Sequence, residues 1–144
     1  MTLAGHKRPL HTIIPGFMQR GDDRIAFGIM GGYNQAQAHA QFVSNVVDYG
    51  LDIQAAMEAP RFTKMTFNGC DVMMEDRIPE DVRRALAARG HAIELQGDYS
   101  EVMGGGQAVM RDLKTGVNYG ASDPRKDGKA IPEPGPWRTS AARP

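Results

Sequence analysis

Arg24-Ile-Ala-Phe-Gly-Ile-Met-Gly-Gly-Tyr-Asn-Gln-Ala-Gln-Ala-His-Ala-Gln-Phe-Val43 changes character twice along its length. Ile25 to Met30 is an apolar run, too short for a helix and bounded by glycine, and reads as a strand. Gly31 and Gly32 break it. Phe42, Val43, Val46 and Val47 then recur at one-turn spacing, so a helix is predicted from Gln35 to Tyr49, with Gly50 as its C-terminal cap. Strand, paired glycines and helix together make a junction where backbone can approach a ligand closely. The first amides of the helix lack partners and carry the positive end of its dipole. Such a turn either binds nothing or holds an anion, including the oxyanion of a tetrahedral intermediate.

Upstream, Thr12, Ile13 and Ile14 are β-branched and followed by Pro15-Gly16, which predicts a strand with a bend or at an edge; Gly21-Asp22-Asp23 turns it into the Ile25 strand as a hairpin. In the helix, Ala38, Phe42 and Val46 form one stripe and Ala36, Ala40, Val43 and Val47 a second. That width predicts burial against a sheet, leaving Gln37, Gln41, Ser44 and Asp48 on the wet side. Downstream, Asp52 caps a short helix from Ile53 to Ala59 that Pro60 stops. Arg61 to Phe67 reads as a strand, Asn68-Gly69 as a hairpin turn and Asp71 to Glu75 as the return. Pro79-Glu80-Asp81 opens a third helix with Val82, Ala85 and Leu86 as its apolar face and Arg83, Arg84 and Arg89 outside. His91 to Leu95 is a strand, Gly104-Gly-Gly106 a flexible turn, and Gln107 onward a hairpin closed by Val117 to Ala121. Uneven spacing of strands and helices indicates an α+β fold. Residues 1–130 form the domain, and 131–144, rich in proline and without periodicity, a disordered or loosely laid tail.

The 144 residues carry 17 Lys and Arg against 17 Asp and Glu, so no charge excess points to nucleic acid or an anionic membrane as a partner. No apolar run reaches a membrane span, no signal-peptide core is present, and cytoplasm and periplasm both stay open. The single cysteine, Cys70, reads as a structural or incidental thiol. His6, His11, His39 and His91 are scattered, so no metal site and no cofactor are expected. His39, near apolar helix faces, reads as a hydrogen-bonded structural histidine. Asp123, Arg125 and Asp127 read as an ion-paired surface turn. Thr12, Ser44, Thr63 and Ser100 offer hydroxyls without an evident base. The residues thus present an oxyanion-type turn with no nucleophile to accompany it.

Five segments in order carry a resemblance. Lys7-Arg-Pro-Leu-His-Thr-Ile-Ile-Pro15, Phe27-Gly-Ile-Met-Gly-Gly32, Asp52-Ile-Gln-Ala-Ala-Met-Glu-Ala-Pro-Arg61, Gly104-Gly-Gly-Gln107 and Ser122-Asp-Pro-Arg-Lys-Asp-Gly128 resemble the C-terminal part of the γ-glutamyltransferases. These are N-terminal-nucleophile hydrolases that cleave themselves into large and small subunits. The resemblance implies part of an αββα sandwich, truncated before the nucleophile. It implies that a Thr upstream is nucleophile and, through its α-amine, base. It assigns Gly31 and Gly32 to the oxyanion hole. It makes the rest of the small subunit and the large subunit the partners, with a small γ-glutamyl substrate; homo-oligomers are also compatible with the open apolar faces. His11 and Thr12 stand where well-studied transpeptidases carry two serines that help bind the glutamyl carboxylate. Thr12 keeps a hydroxyl and His11 can donate a ring N–H, so both are candidate substrate-binding residues. Cephalosporin and glutaryl acylases share the scaffold and supply an alternative substrate class. A stand-alone, non-catalytic domain that binds a ligand or partner is the alternative of another kind.

Overall fold

A computed structural model describes residues 4–132; the tail expected from residue 131 falls almost wholly outside them. The elements are β1 (Gly16–Arg20), β2 (Asp23–Met30), α1 (Gln35–Val47), α2 (Ile53–Glu58), β3 (Phe62–Thr63), β4 (Asp71–Met74), α3 (Glu80–Ala88), β5 (Ala92–Leu95), β6 (Gly105–Asp112) and β7 (Asn118–Ser122). One antiparallel sheet has the order β1-β2-β6-β7 and a second, mixed sheet the order β3-β4-β5, with β4 and β5 parallel across α3. Alternation in β2 sends Ile25, Phe27 and Ile29 to one face, where Ala38, Phe42 and Val46 of α1, Ile53, Ala56 and Met57 of α2, and Ala108 and Ala121 complete the core. Among the described residues nothing covers the opposite face: Phe17, Ala26 and Val109 are in register across it, and Met30 extends the same apolar surface.

The hairpin β1-β2 forms as expected, with Gly21 at φ 56 in a tight turn. The strand expected at Thr12–Ile14 does not form. β1 starts only at Gly16, after Pro15, which has no N–H to give a ladder, and Ile13 and Ile14 are exposed. β2 outruns β1 by three residues, since Gly16 pairs with Phe27. His39 fills the gap: its Nε2 accepts the N–H of Ile29 at 2.9 Å. The histidine is structural, as its surroundings in sequence indicated.

Helix α1 buries only one of its two small-residue stripes. Ala36, Ala40 and Val47 face outward. Gln37 and Gln41, expected on the wet side, instead clamp the edge of β3. Gln37 exchanges both hydrogen bonds with the backbone of Lys64, each at 2.9 Å, and Gln41 does the same with Phe62 at 2.9 and 3.1 Å. Gln54 of α2 pairs in the same way with Ser122 on the edge of β7. Each carboxamide, one acceptor beside one donor, substitutes for a residue of a neighbouring strand. Asp52 caps α2 as read, accepting from the N–H groups of Gln54 and Ala55.

Strand β3 is shorter than the Arg61–Phe67 expected. Asn68-Gly69 does not close a tight hairpin, because the chain between is folded on itself by Lys64, Thr66 and Asp71. Helix α3 starts at the expected place but buries none of its residues; Val82 is exposed and Leu86 half-buried. The Gly104–Gly106 run is no flexible turn. Gly105 and Gly106 are the first residues of β6, and a side chain on Gly106 would collide with Met57 and Ile29.

The largest departure concerns Asp123 and Arg125, which are not on the surface. Arg125 sends Nε and Nη2 to the two oxygens of Glu75, each at 2.6 Å, and Nη1 to Asp123 at 3.0 Å. Arg61 Nη1 meets the other Asp123 oxygen at 2.7 Å. Glu75 also accepts from the N–H groups of Arg61 and Ser100 and from Arg77, while Asp123 accepts from the N–H of Gly106. Remaining guanidinium protons go to the carbonyls of Met57 and Ala59. Asp127 is exposed and takes no part. Burial, and then the charge of Arg125, lower the Arg61 pKa, and the two carboxylates offset part of this. Removing one member of such a set strands a buried charge, at about 3–5 kcal/mol. Arg125→Met is therefore expected to lower unfolding free energy by about that amount in denaturant titrations. Arg84→Ala, which breaks only the exposed pair with Glu80, should cost under about 1 kcal/mol. Equal effects would remove the network from its place at the centre of the fold.

Candidate active site

At the end of β2 the chain leaves the sheet at Met30 and enters a single 3₁₀ turn, Gly32–Asn34, that runs into α1. Gly31 has φ 156 and ψ 22, and Gly32 has φ 59, conformations that side chains of L-residues disfavour. The N–H groups of Gly31 and Gly32 have no acceptor among the described residues; the first backbone bond of the turn is Asn34 N–H to Gly31 O at 3.1 Å. Two adjacent free donors at the N-terminal end of a helix can hold one oxygen carrying negative charge. Space beside Gly32 is open, with no atom within 4 Å of where its Cβ would be.

The turn is backed from below. Gly104, at φ 78, lies against it so closely that a Cβ there would overlap the carbonyl of Met30; its own Cα is 3.3 Å from the Cβ position of Gly31. Arg61 Nη1 lies 3.3 Å from the Met103 carbonyl and 3.5 Å from that of Gly104, which joins the buried ionic network to the turn. Asn34 is also beneath Gly31. Its carboxamide is buried, and neither Nδ2 nor Oδ1 has a partner among the described residues.

The candidate residues His11 and Thr12 lie in an irregular, exposed segment. Gln35 Nε2 donates to the Thr12 carbonyl at 3.2 Å, which brings Thr12 to the first residue of α1, close to the glycine turn. Among the described residues His11 makes no side-chain hydrogen bond to the turn. A cavity of about 550 Å³, lined by Ile25, Val46, Ile53 and Met110, opens at the other end of β2, too far from Gly31 to share its chemistry. Cys70 is a free, exposed thiol. Sequence reading missed Arg61, Glu75, Gly104 and Asn34 as supports of the turn. Arg61 and Gly104 did stand inside the motifs that carried the resemblance, and that was the signal available.

Residues 2–133 match the family described as Gamma-glutamyltranspeptidase. The chain belongs to this family. Among curated relatives it is 32% identical over 134 residues to the glutathione hydrolase-like YwrD proenzyme of Bacillus subtilis, covering 90% of this chain and 25% of the relative. It is 31% identical over 134 residues to the oxamate amidohydrolase proenzyme of Klebsiella pneumoniae, with the same coverage. Among solved structures, the cephalosporin acylase from Bacillus halodurans superposes with a TM-score of 0.75 at 44% identity, over 88% of this chain and 23% of that one. The chain thus spans about a quarter of the length of the curated relatives it matches. Its sheets and helices are the α+β architecture expected, forming part of the αββα sandwich of this family.

The site makes a pH-dependent prediction through His39. The nitrogen that accepts from Ile29 cannot hold a proton, and burial, then the charge of Arg61, lower its pKa. As pH falls, the unfolded chain takes up this proton before the folded one does. The contribution is therefore complete above the ordinary histidine value of about 6.5 and is lost as pH falls below it, through the folded-state pKa. His39→Gln retains an acceptor without a proton equilibrium. Its unfolding midpoint should change less between pH 7.5 and 5 than that of the unsubstituted protein. An identical slope would show that His39 does not accept from the strand.

Proposed function

We propose that this chain furnishes the oxyanion-binding turn of an amide-cleaving acyl-transfer enzyme of the γ-glutamyltransferase family. The observation that carries the proposal is the pair of acceptor-free N–H groups at Gly31 and Gly32, beside open space and braced from below. A Thr belonging to another part of the enzyme attacks the γ-carbonyl of the substrate, its own α-amine taking the hydroxyl proton. The carbonyl oxygen becomes an oxyanion held by Gly31 and Gly32. Collapse of the tetrahedral intermediate expels the amine with a proton and leaves an ester on the Thr. Water or an acceptor amine then takes the acyl group. Thr12 and His11 contact the carboxylate end of the acyl group, a role supported by the tie between Thr12 and Gln35.

The partners in this proposal are the rest of the small subunit and the large subunit. The exposed apolar face of Phe17, Ala26, Val109 and Met30 supports them, since a sandwich covers that face with a second sheet. The orphaned carboxamide of Asn34 supports them too. A buried amide without partners costs about 1–3 kcal/mol, a cost removed when another segment supplies a hydrogen bond. An acylase acting on glutaryl-type side chains is the second reading, favoured by the 44% identity to the cephalosporin acylase structure and by His11 in place of a serine.

Gly32→Ala tests the turn most cleanly. The added methyl points into open space where substrate would be, and its cost to the fold is about 1–2 kcal/mol for the positive φ. Alanine keeps its backbone N–H, so the methyl acts by holding the carbonyl oxygen off the donor pair; in the full-length enzyme, turnover should fall roughly 10²–10³-fold while the protein stays folded, the size of one oxyanion donor put out of reach. Full turnover in a folded variant would refute the assignment. His11→Ser should act on recognition. Steady-state kinetics on γ-glutamyl and glutaryl anilides should give a changed ratio of kcat/KM between them, with the effect mainly in KM. An unchanged ratio would remove His11 from the substrate.

A further inference from the structure

Two aromatic rings stand beside the glycine turn with most of their surface in solvent. Tyr33, the residue after Gly32, is 76% exposed and Phe67 is 90% exposed. They meet edge to face, with ring centroids 6.2 Å apart and planes at 79°. Neither belongs to the core, so the core does not account for them.

The chain holds Phe67 in this position with polar bonds. Lys64 Nζ, with three protons to donate, lies within 2.9–3.1 Å of four oxygens: Thr66 Oγ1, the carbonyls of Asn68 and Asp71, and Asp71 Oδ1. Thr66 Oγ1 is also 2.8 Å from each Asp71 oxygen. The base of the loop is fixed to α1 by the Gln37 clamp on Lys64. The loop is thus tied at its stem and across its middle, while the Phe67 side chain projects from it.

The helix sets which flank of the turn this is. Tyr33, Gln37 and Gln41 recur every four residues and face β3 and the 64–70 loop. Gln35, which holds Thr12, is two residues from Gln37 in α1, or about 200° around the axis. The segment of His11 and Thr12 and the pair Tyr33–Phe67 therefore flank the glycine turn on opposite sides. A carbonyl whose oxygen is in that turn directs its acyl chain to one flank and its amine to the other. With the acyl head at Thr12, the amine meets the aromatic pair.

We propose that Tyr33 and Phe67 form the subsite for the amine portion of the substrate, selecting amines with an aromatic or aliphatic body over ammonia. The inference rests on the acyl-transfer reading above and adds the leaving-group and acceptor class. Departing amine and incoming acceptor occupy the same place, so one subsite acts in both halves of the reaction.

The test holds the acyl group constant and varies the amine in the full-length enzyme. For Phe67→Ala, the ratio of kcat/KM on γ-glutamyl anilide to that on glutamine should fall about tenfold, the size of a lost aromatic contact. Phe67→Tyr should restore most of the ratio. Tyr33→Ala should lower it in the same direction, and a phenylalanine acceptor should lose more rate than a glycine acceptor in both alanine variants. Equal loss on both amides would mean that the rings brace the turn, and would overturn the subsite. An unchanged ratio accompanied by a lower unfolding midpoint would mean that another segment of the enzyme covers the rings, and would overturn it also. If γ-glutamyl amides are not cleaved but glutaryl amides are, the acyl reading fails and the same amine ratio is measured on glutaryl anilide and glutaramide. An enzyme that cleaves neither overturns both proposals.

Discussion

The bidentate contact of Arg125 with Glu75 is the constraint on which the rest of this structure depends. Glu75 follows β4 in the mixed sheet and Arg125 follows β7 in the antiparallel one, so the pair joins the two sheets, as Arg61 before β3 and Asp123 after β7 do beside it. Both side chains are fully enclosed, and water cannot replace either. Desolvating these groups costs several kcal/mol each, and the cost is offset only if every remaining lone pair and proton finds a partner. Here Asp123, Arg61, Arg77, backbone N–H groups and the carbonyls of Met57 and Ala59 supply them. The arrangement fixes relative position in a way that apolar packing between β-strands does not, because each bond has a direction.

The glycine turn inherits this rigidity. Arg61 faces the carbonyls of Met103 and Gly104, Gly104 presses on Met30 and Gly31, and Asp123 holds the N–H of Gly106 at the start of β6. A donor pair that stabilises charge in a transition state must be in position before the charge develops. Glycine alone would leave that backbone loose. In this chain the freedom of Gly31 is removed by neighbours, so the conformational permissiveness that allows the turn does not blur it.

The parts legible in the sequence were those fixed by near neighbours. The strand, glycine turn and helix from Ile25 to Val47 follow from local periodicity, and the Asp52 cap needs only the two amides beside it. The buried network was illegible because its partners are distant: Glu75 and Arg125 are 50 residues apart, and charged residues near a turn are ordinarily solvated. Gln37 and Gln41 were misread for a related reason. Polar residues on a helix default to water, and nothing local indicates that a strand edge will meet them. The strands around Thr12 and after Thr63 failed because propensity cannot provide a pairing partner. The motifs behind the family resemblance held more than their local reading suggested: the arginines ending Ala-Pro-Arg61 and Asp-Pro-Arg125 are the two buried cations among the described residues.

The three glutamine clamps bear on how each sheet can grow. An exposed strand edge is a template that accepts any extended backbone, native or foreign. Gln37 and Gln41 occupy the outer edge of β3, and Gln54 that of β7, with side chains that cannot themselves pass the ladder on. Each sheet is thereby left with a single direction of extension, at β5 for one and β1 for the other. Growth that can proceed from one end only adds strands in a defined order and cannot run through the molecule as a continuous ribbon. The clamps act as terminators.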